Sequence, residues 1–271
     1  MKKKATIQNT HFQKDVKSRN IFKEARRSLF ILSSIIVFIL LFYCIAALFT
    51  SVGYETFLKA KYVEDKITAV TGNNYEPLTI ILDPGHGGED PGAVANGLDE
   101  KDLNLAIANK LYELLSTSGY NVVMTRTTDT LLYKEGQEKQ KKLYDLRNRL
   151  EIIQSYENCI YVGIHMNKFP IEKYSGLQTF YSENNQASKN LAQSIQDTTK
   201  LLLTNNYRKI KPENGTIFIL ERAQTPAVLV ECGFLSNASE AARLSNNAYQ
   251  EKLAFTIYCG ITGFLGSEEQ T

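Results

Sequence analysis

The chain has 271 residues, 43% of them hydrophobic and 22% charged, with a formal net charge of +2. These proportions exclude a disordered, collagen-like or disulfide-scaffold protein and leave room for one globular domain of roughly 150–200 residues plus a further segment. The near-neutral total conceals two oppositely charged parts, since residues 1–27 carry +7 and the remainder −5. The larger part therefore has no basic excess with which to grip nucleic acid, and no nucleic-acid partner is expected.

In chain order the basic tail, residues 1–27, comes first. From Leu29 to Thr50 the sequence reads LFILSSIIVFILLFYCIAALFT, without one charged residue. That is long enough to cross a hydrocarbon core of about 30 Å as a helix. The run exceeds a signal-peptide core of about 7–15 residues and no clean small-x-small cleavage site follows it. Residues 28–52 are therefore expected to form a retained single membrane span. The positive flank stays on the cytoplasmic side, which places the rest of the chain outside the membrane. Residues 53–77 mix charges with a Gly-Asn-Asn turn and read as a juxtamembrane linker. Residues 78–267 form the folded domain and 268–271 a short tail. No internal repeat is present, so solenoids and propellers are excluded.

Within the domain, apolar runs of strand length alternate with segments of helical period. This order predicts an α/β fold with a largely parallel sheet flanked by helices. The strand candidates are LTIILD (78–83), YNVVMT (120–125), CIYVGIH (159–165), LQTFY (177–181), TIFIL (216–220) and AVLVE (227–231). Helices are expected over about Lys101–Thr117, Lys139–Tyr156, Gln186–Leu203 and Ser239–Phe264. Four cysteines stand at 44, 159, 232 and 259 with no C-x-x-C spacing, so neither a zinc knuckle nor a redox pair is formed. The outer three read as buried free thiols.

In such sheets functional groups gather beyond the C-terminal ends of the strands. Of only three histidines, His11 lies in the basic tail, whereas His86 and His165 each follow directly on an apolar strand. Glu100 opens the first helix, after a turn-rich stretch that can fold back toward His86. It could serve the helix dipole alone, as Asp99 could. It could also complete a two-His, one-carboxylate zinc set with an open position for water, the catalytic type of zinc site. Glu231 ends an otherwise apolar strand, where a charge is costly unless it is paired, binds a metal or faces a solvated cleft. Cys232 should point to the opposite face. Glu231 is therefore the candidate base beside a metal-activated water. The glycine-rich GHGGEDPG fits neither phosphate-loop pattern, and no G-x-S-x-G elbow is present. Gly85, Gly87 and Gly88 instead suit a tight turn. Arg126 and Asn167 each have a structural reading, an ion pair with Asp129 and a local turn respectively, and neither is taken as catalytic.

Together these blocks resemble the zinc-dependent N-acetylmuramoyl-L-alanine amidases of bacterial cell walls, of the amidase-3 type. The resemblance runs from Leu78 to about Gly266 through IILDPGHGGEDPGA (80–93), the Glu100-Lys-Asp helix opening, VVMTRTTDT (122–130), DLRNR (145–149), YVGIHMN (161–167), SGLQTFY (175–181) and PAVLVECGFLSN (226–237). It implies a mixed sheet of about six strands, one Zn2+ on His86, Glu100 and His165, and Glu231 as the catalytic carboxylate. It also implies hydrolysis of the amide joining N-acetylmuramic acid to L-alanine in peptidoglycan. The short chain, the single anchor and the SGLQTFY block are most similar to the germination-specific subgroup of spore-forming bacteria, which implies a role in spore-cortex maturation. That places the domain outside the cell membrane, in the forespore intermembrane space. No wall-binding repeats and no long autoinhibitory helix are evident, which leaves targeting to the anchor or to an activator protein. A monomer is expected, because nothing resembles a heptad repeat. The rival readings are a vegetative wall amidase, a non-catalytic zinc-containing wall receptor, and another wall zinc hydrolase.

Overall fold

The computed structural model describes residues 77–268. The basic tail, the expected membrane span, the linker up to residue 76 and residues 269–271 lie outside the described residues. Among the described residues no helix is long and apolar enough to cross a membrane.

Strand β1 (Thr79–Pro84) forms from a β-branched, apolar run that stops at a Pro-Gly pair, and all six of its residues are buried. A short hairpin follows, β2 (Val94–Ala95) and β3 (Leu98–Asp99), and leads into helix α1 (Glu100–Thr117) and strand β4 (Asn121–Met124). Next come α2 (Lys141–Gln154), β5 (Cys159–Asn167), β6 (Gln178–Tyr181), α3 (Gln186–Leu202) and β7 (Lys211–Pro212). The chain closes with α4 (Phe218–Arg222), β8 (Ala227–Phe234), α5 (Ala238–Leu244) and α6 (Asn247–Glu268).

Among the described residues the main sheet has six strands in the order β4-β1-β5-β8-β6-β7. The central pairs β1–β4, β1–β5 and β5–β8 are parallel. Strand β6 runs antiparallel to β8 and parallel to the edge strand β7, so the sheet is mixed and mostly parallel. Helices cover both faces. On one, Ile80, Leu82, Val162, Ile164 and Val230 pack with Leu103, Ile107 and Leu111 of α1, Leu191 and Ile195 of α3, and Leu253, Ile257 and Ile261 of α6. On the other, Ile81, Tyr161 and Leu229 meet Ile153 of α2 and Ile219 and Leu220 of α4. Burial of each such side chain contributes about 1.5–3 kcal/mol. Because strand side chains alternate, residues 161, 163 and 165 of β5 share the second face with 229 and 231 of β8. The register sets His165 directly beside Glu231.

Three elements differ from the sequence-based expectation. TIFIL (216–220) is not a strand: Glu213 accepts the backbone N–H groups of Gly215 at 2.8 Å and Ile217 at 2.7 Å, which winds the chain into α4. An apolar run this short does not distinguish buried strand from buried helix. The sixth strand is instead β7, two exposed residues that include a proline, which an edge position tolerates. The long C-terminal helix is two helices, because Asn237 caps α5 by accepting the Glu240 N–H at 3.0 Å and Asn246 accepts the Tyr249 N–H at 3.2 Å. The β2–β3 hairpin was also not expected. Its signal is Asn96-Gly97, both with positive φ (52° and 74°), the pair that favours a two-residue hairpin turn.

Helices α3 and α6 approach closely at Gly260, where a Cβ would lie 2.5 Å from the Ile195 Cα. Gly260→Val should therefore lower unfolding free energy by about 1–3 kcal/mol through overpacking. The measurement is urea denaturation, read as a lower midpoint at unchanged slope.

Candidate active site

The turn after β1 carries the first histidine. His86 has φ +62°, a left-handed conformation rare for a residue with a side chain. Two buried arginines hold it there. Arg149, 1% exposed, donates to the His86 carbonyl at 2.7 Å and to the Pro84 carbonyl at 3.0 Å. Arg126, 3% exposed, donates to the carbonyls of Pro84 at 2.9 Å, Gly85 at 3.0 Å and Lys101 at 2.9 Å. Arg126 therefore splints backbone, and Asp129, the expected partner, pairs with Lys101 at 2.7 Å. Gly85 is required for a different reason, since a Cβ there would sit 2.1 Å from the His165 ring.

Arg149 is itself held by carboxylates. It pairs with Asp83, which is also bonded by the Thr125 hydroxyl and by the Tyr161 hydroxyl at 2.7 Å, and with Asp145 at 2.8 Å. Burial alone would raise the Asp83 carboxyl, but Arg149 and the two hydroxyls hold it below the usual carboxylate range. Burial likewise opposes the charge on Arg149, and the two aspartates outweigh it and raise its pKa.

Glu100 lies at the centre of the site. Placed at the start of α1 by the hairpin, its Oε2 accepts the Ala93 N–H at 2.7 Å and its Oε1 accepts the Met166 N–H at 3.0 Å. The same Oε1 is 2.9 Å from His165 Nδ1 and 3.3 Å from His86 Nε2. One donor atom from each of these three residues lies within 4.8 Å of the other two. The two rings meet edge to face, with centroids 5.1 Å apart. Asp90 Oδ2, 2.8 Å from His86 Nδ1, fixes the ring orientation with Nε2 turned toward Glu100. Burial would raise the Glu100 carboxyl, yet His165 and His86 hold it well below the ordinary range. Burial lowers and Glu100 and Asp90 raise the His86 pKa, with a net upward shift. Two imidazole nitrogens and a carboxylate oxygen converging in this way suit a divalent cation, and the donor set is the one that holds catalytic zinc.

Glu231 lines the same cleft, a cavity of about 250 Å³ bordered by His86, Asp90, Lys142, His165, Phe218 and Leu229. Its Oε2 is closed to solvent and has no hydrogen-bond partner among the described residues. Burial, with the Glu100 charge added and His86 opposing, pushes its carboxyl up to about 8. Such a group exchanges a proton near neutral pH. Cys232 belongs to the core of the opposite sheet face, and burial pushes its thiol far up. Cys159, Cys232 and Cys259 are free thiols, the first two buried and the third half-buried. Asn167 ends β5, and its carbonyl accepts the Leu235 N–H at 2.8 Å.

The structure thus brings His86, His165 and Glu231 to one cleft and sets the buried Glu100 against both histidines. Sequence reasoning overlooked Asp83, Asp90, Asp145 and Arg149. The available signal was a buried-strand aspartate at the end of TIILD and the charges of the DLRNR block on a helix.

Comparison with known proteins gives a consistent result. Residues 80–263 match the family model described as N-acetylmuramoyl-L-alanine amidase. The chain is 42% identical over 184 residues to the germination-specific N-acetylmuramoyl-L-alanine amidase of Bacillus subtilis, covering 67% of this chain and 77% of that protein. It is 34% identical over 204 residues to the amidase LytC of the same organism, covering 74% of this chain but only 38% of LytC. Among solved structures, the CwlD amidase from Clostridioides difficile, determined in complex with the GerS lipoprotein, is similar with a TM-score of 0.67 and 46% identity across 70% of this chain and 98% of that one.

Removing the guanidinium in Arg149→Met should cost about 3–5 kcal/mol, because it strands buried carboxylates. In the native protein Asp83 is held below its ordinary value of 3.8, so its stabilisation is complete above that pH and is lost as pH falls through the depressed folded value. Without Arg149 the buried carboxyl binds protons more readily folded than unfolded, and the variant should gain stability on acidification from neutrality. Denaturant unfolding between pH 7 and pH 4 measures both signs.

Proposed function

The chain belongs to the N-acetylmuramoyl-L-alanine amidase family, and on that premise we propose a membrane-anchored, zinc-dependent amidase that acts in spore-cortex maturation. The coarser activity follows from membership: it is a hydrolase of peptidoglycan, an N-acetylmuramoyl-L-alanine amidase. The observation that carries the zinc reading is the convergence of His86 Nε2, Glu100 Oε1 and His165 Nδ1. These three residues would hold the ion. The chemistry that zinc supplies when bound is polarisation of the lactyl carbonyl and acidification of water toward a pKa of about 7.

The remaining steps belong to the side chains. Glu231 takes a proton from the attacking water as the water oxygen bonds to the lactyl carbonyl carbon. It then delivers that proton to the alanine nitrogen as the C–N bond breaks. The products are a muramyl lactyl carboxylate and a peptide with a free L-alanine amine. A carboxylate oxygen with no hydrogen-bond partner among the described residues, in the cleft that His86 and His165 line, is free to make both transfers. Asp90 orients the His86 ring, and Arg149 and Arg126 hold the turn that carries it.

The cortex assignment draws on likeness to the germination-specific amidase of Bacillus subtilis and to the CwlD amidase of Clostridioides difficile. The latter forms a complex with a lipoprotein, so a lipoprotein on the outer membrane face is the proposed activator or targeting partner. The apolar run Leu29–Thr50 is the proposed anchor, with the basic tail in the cytoplasm. Likeness to LytC supports a vegetative wall role as the second reading. Retention of both histidines and both glutamates argues against a receptor without turnover.

Purified full chain, loaded with zinc, should release stem peptides with free L-alanine from peptidoglycan, identified by mass spectrometry. Glu231→Gln should bind zinc normally and lose at least about 10²-fold in turnover, the lower end of a general-base contribution. His86→Ala should lose the metal itself, read by metal analysis after dialysis. Normal hydrolysis by the Glu231 variant would remove that residue from the mechanism.

A further inference from the structure

Asn104 places an amide where packing alone would favour an apolar side chain. It lies in the interior of α1, one helical turn after Glu100, and is fully buried, in a stretch whose Leu103 and Ile107 belong to the core. Asparagine is a poor helix former, because its side chain competes for backbone groups, and a buried amide is costly unless its polar atoms are paired. Here only one end of the amide is paired. Nδ2 donates to the Gly85 carbonyl at 3.1 Å and to Glu100 Oε1 at 3.4 Å. Oδ1, closed to solvent, has no partner among the described residues. Exchanging the two ends would set the amide oxygen against two acceptors, so the surroundings fix its orientation. Asn104 thus acts as a donor, and its two acceptors define what it does.

Both acceptors belong to the frame of the three candidate metal ligands. Glu100 is one of them. Gly85 immediately precedes the second, His86, and its N–H donates at 3.1 Å to the carbonyl of Ile164, the residue before the third, His165. A Cβ on Gly85 would lie 2.1 Å from the His165 ring, so that ring rests against this stretch of backbone. Arg126 joins the Gly85 carbonyl to the α1 backbone at Lys101, whereas Asn104 joins it to the Glu100 carboxylate itself. A turn of Glu100 away from the histidines, or a slide of α1 along the His86 turn, breaks these contacts. Groups that orient metal ligands in this way change metal affinity when they are removed.

We propose that Asn104 is a positioning residue of the metal site: its amide sets the spacing between Glu100 and the turn that carries His86, and divalent-metal affinity depends on it. This rests on the zinc reading of the site, and the test separates the two. In the full chain Asn104→Leu, similar in size but without a donor, should weaken zinc binding about 10- to 100-fold in competition with a chromophoric chelator. The loss is partial because the Ala93 and Met166 N–H groups still hold the carboxylate. With cobalt in place of zinc, the visible absorption bands, which report ligand geometry, should shift in the variant. Asn104→Ser, whose hydroxyl is too short to bridge both acceptors, should move both readouts in the same direction and decides the matter if the leucine variant does not fold. Leu111→Ala, which opens a core cavity farther along α1, should lower the urea midpoint yet leave zinc affinity and the cobalt spectrum unchanged. Wild-type zinc affinity in the folded Asn104 variants, or an equal loss in Leu111→Ala, would overturn the positioning role and leave the zinc reading standing. A wild type that takes up no zinc would overturn both.

Discussion

The site depends on one buried cation. Arg149 is surrounded by Asp83 on β1, Asp145 one helical turn before it on α2, and the carbonyls of Pro84 and His86. Taking these charges out of water is expensive unless each is paired, so the arrangement tolerates little displacement of any member. Since Asp83 belongs to the central strand and the His86 carbonyl to the turn beyond it, the guanidinium fixes how the chain leaves the sheet. The left-handed conformation of His86 is held by this bond, with Arg126 on the carbonyls just before it, and not by its own preference.

A second constraint is the Glu100 carboxylate, which joins three pieces of chain. It accepts N–H groups from the hairpin at Ala93 and from β5 at Met166, and it faces both imidazoles. Gly92 permits this approach, since a Cβ there would lie 2.5 Å from Glu100 Oε2. The carboxylate is thus oriented by the protein's own donors. Preorganised side chains of this kind lower the cost of ordering a site on binding.

The two faces of the sheet divide the labour. One is sealed by α1, α3 and α6 and contributes packing. The other is covered by the shorter α2 and α4 and leaves the cleft open at the strand ends. Strand alternation places Asp83, Tyr161, His165 and Glu231 on this second face with Ile81 and Leu229. The support network around Arg149 and the residues that line the cleft are therefore successive layers of one face.

The sequence by itself determined the alternation of strands and helices, the strand-end positions of His86, His165 and Glu231, and Glu100 at the opening of a helix. Those features are local, carried by apolar runs and by scarce residue types, and local pattern is what a sequence displays. The apolar run Leu29–Thr50 is legible for the same reason. Tertiary structure alone decided that TIFIL winds into a helix, because Glu213 captures its N–H groups, and that a Lys-Pro pair supplies the edge strand. It alone paired Asp83 with Arg149, 66 residues apart, and made Arg126 a splint for backbone instead of a partner for Asp129. These outcomes depend on which groups meet across long stretches of chain once water has been excluded, and no spacing in the sequence records that.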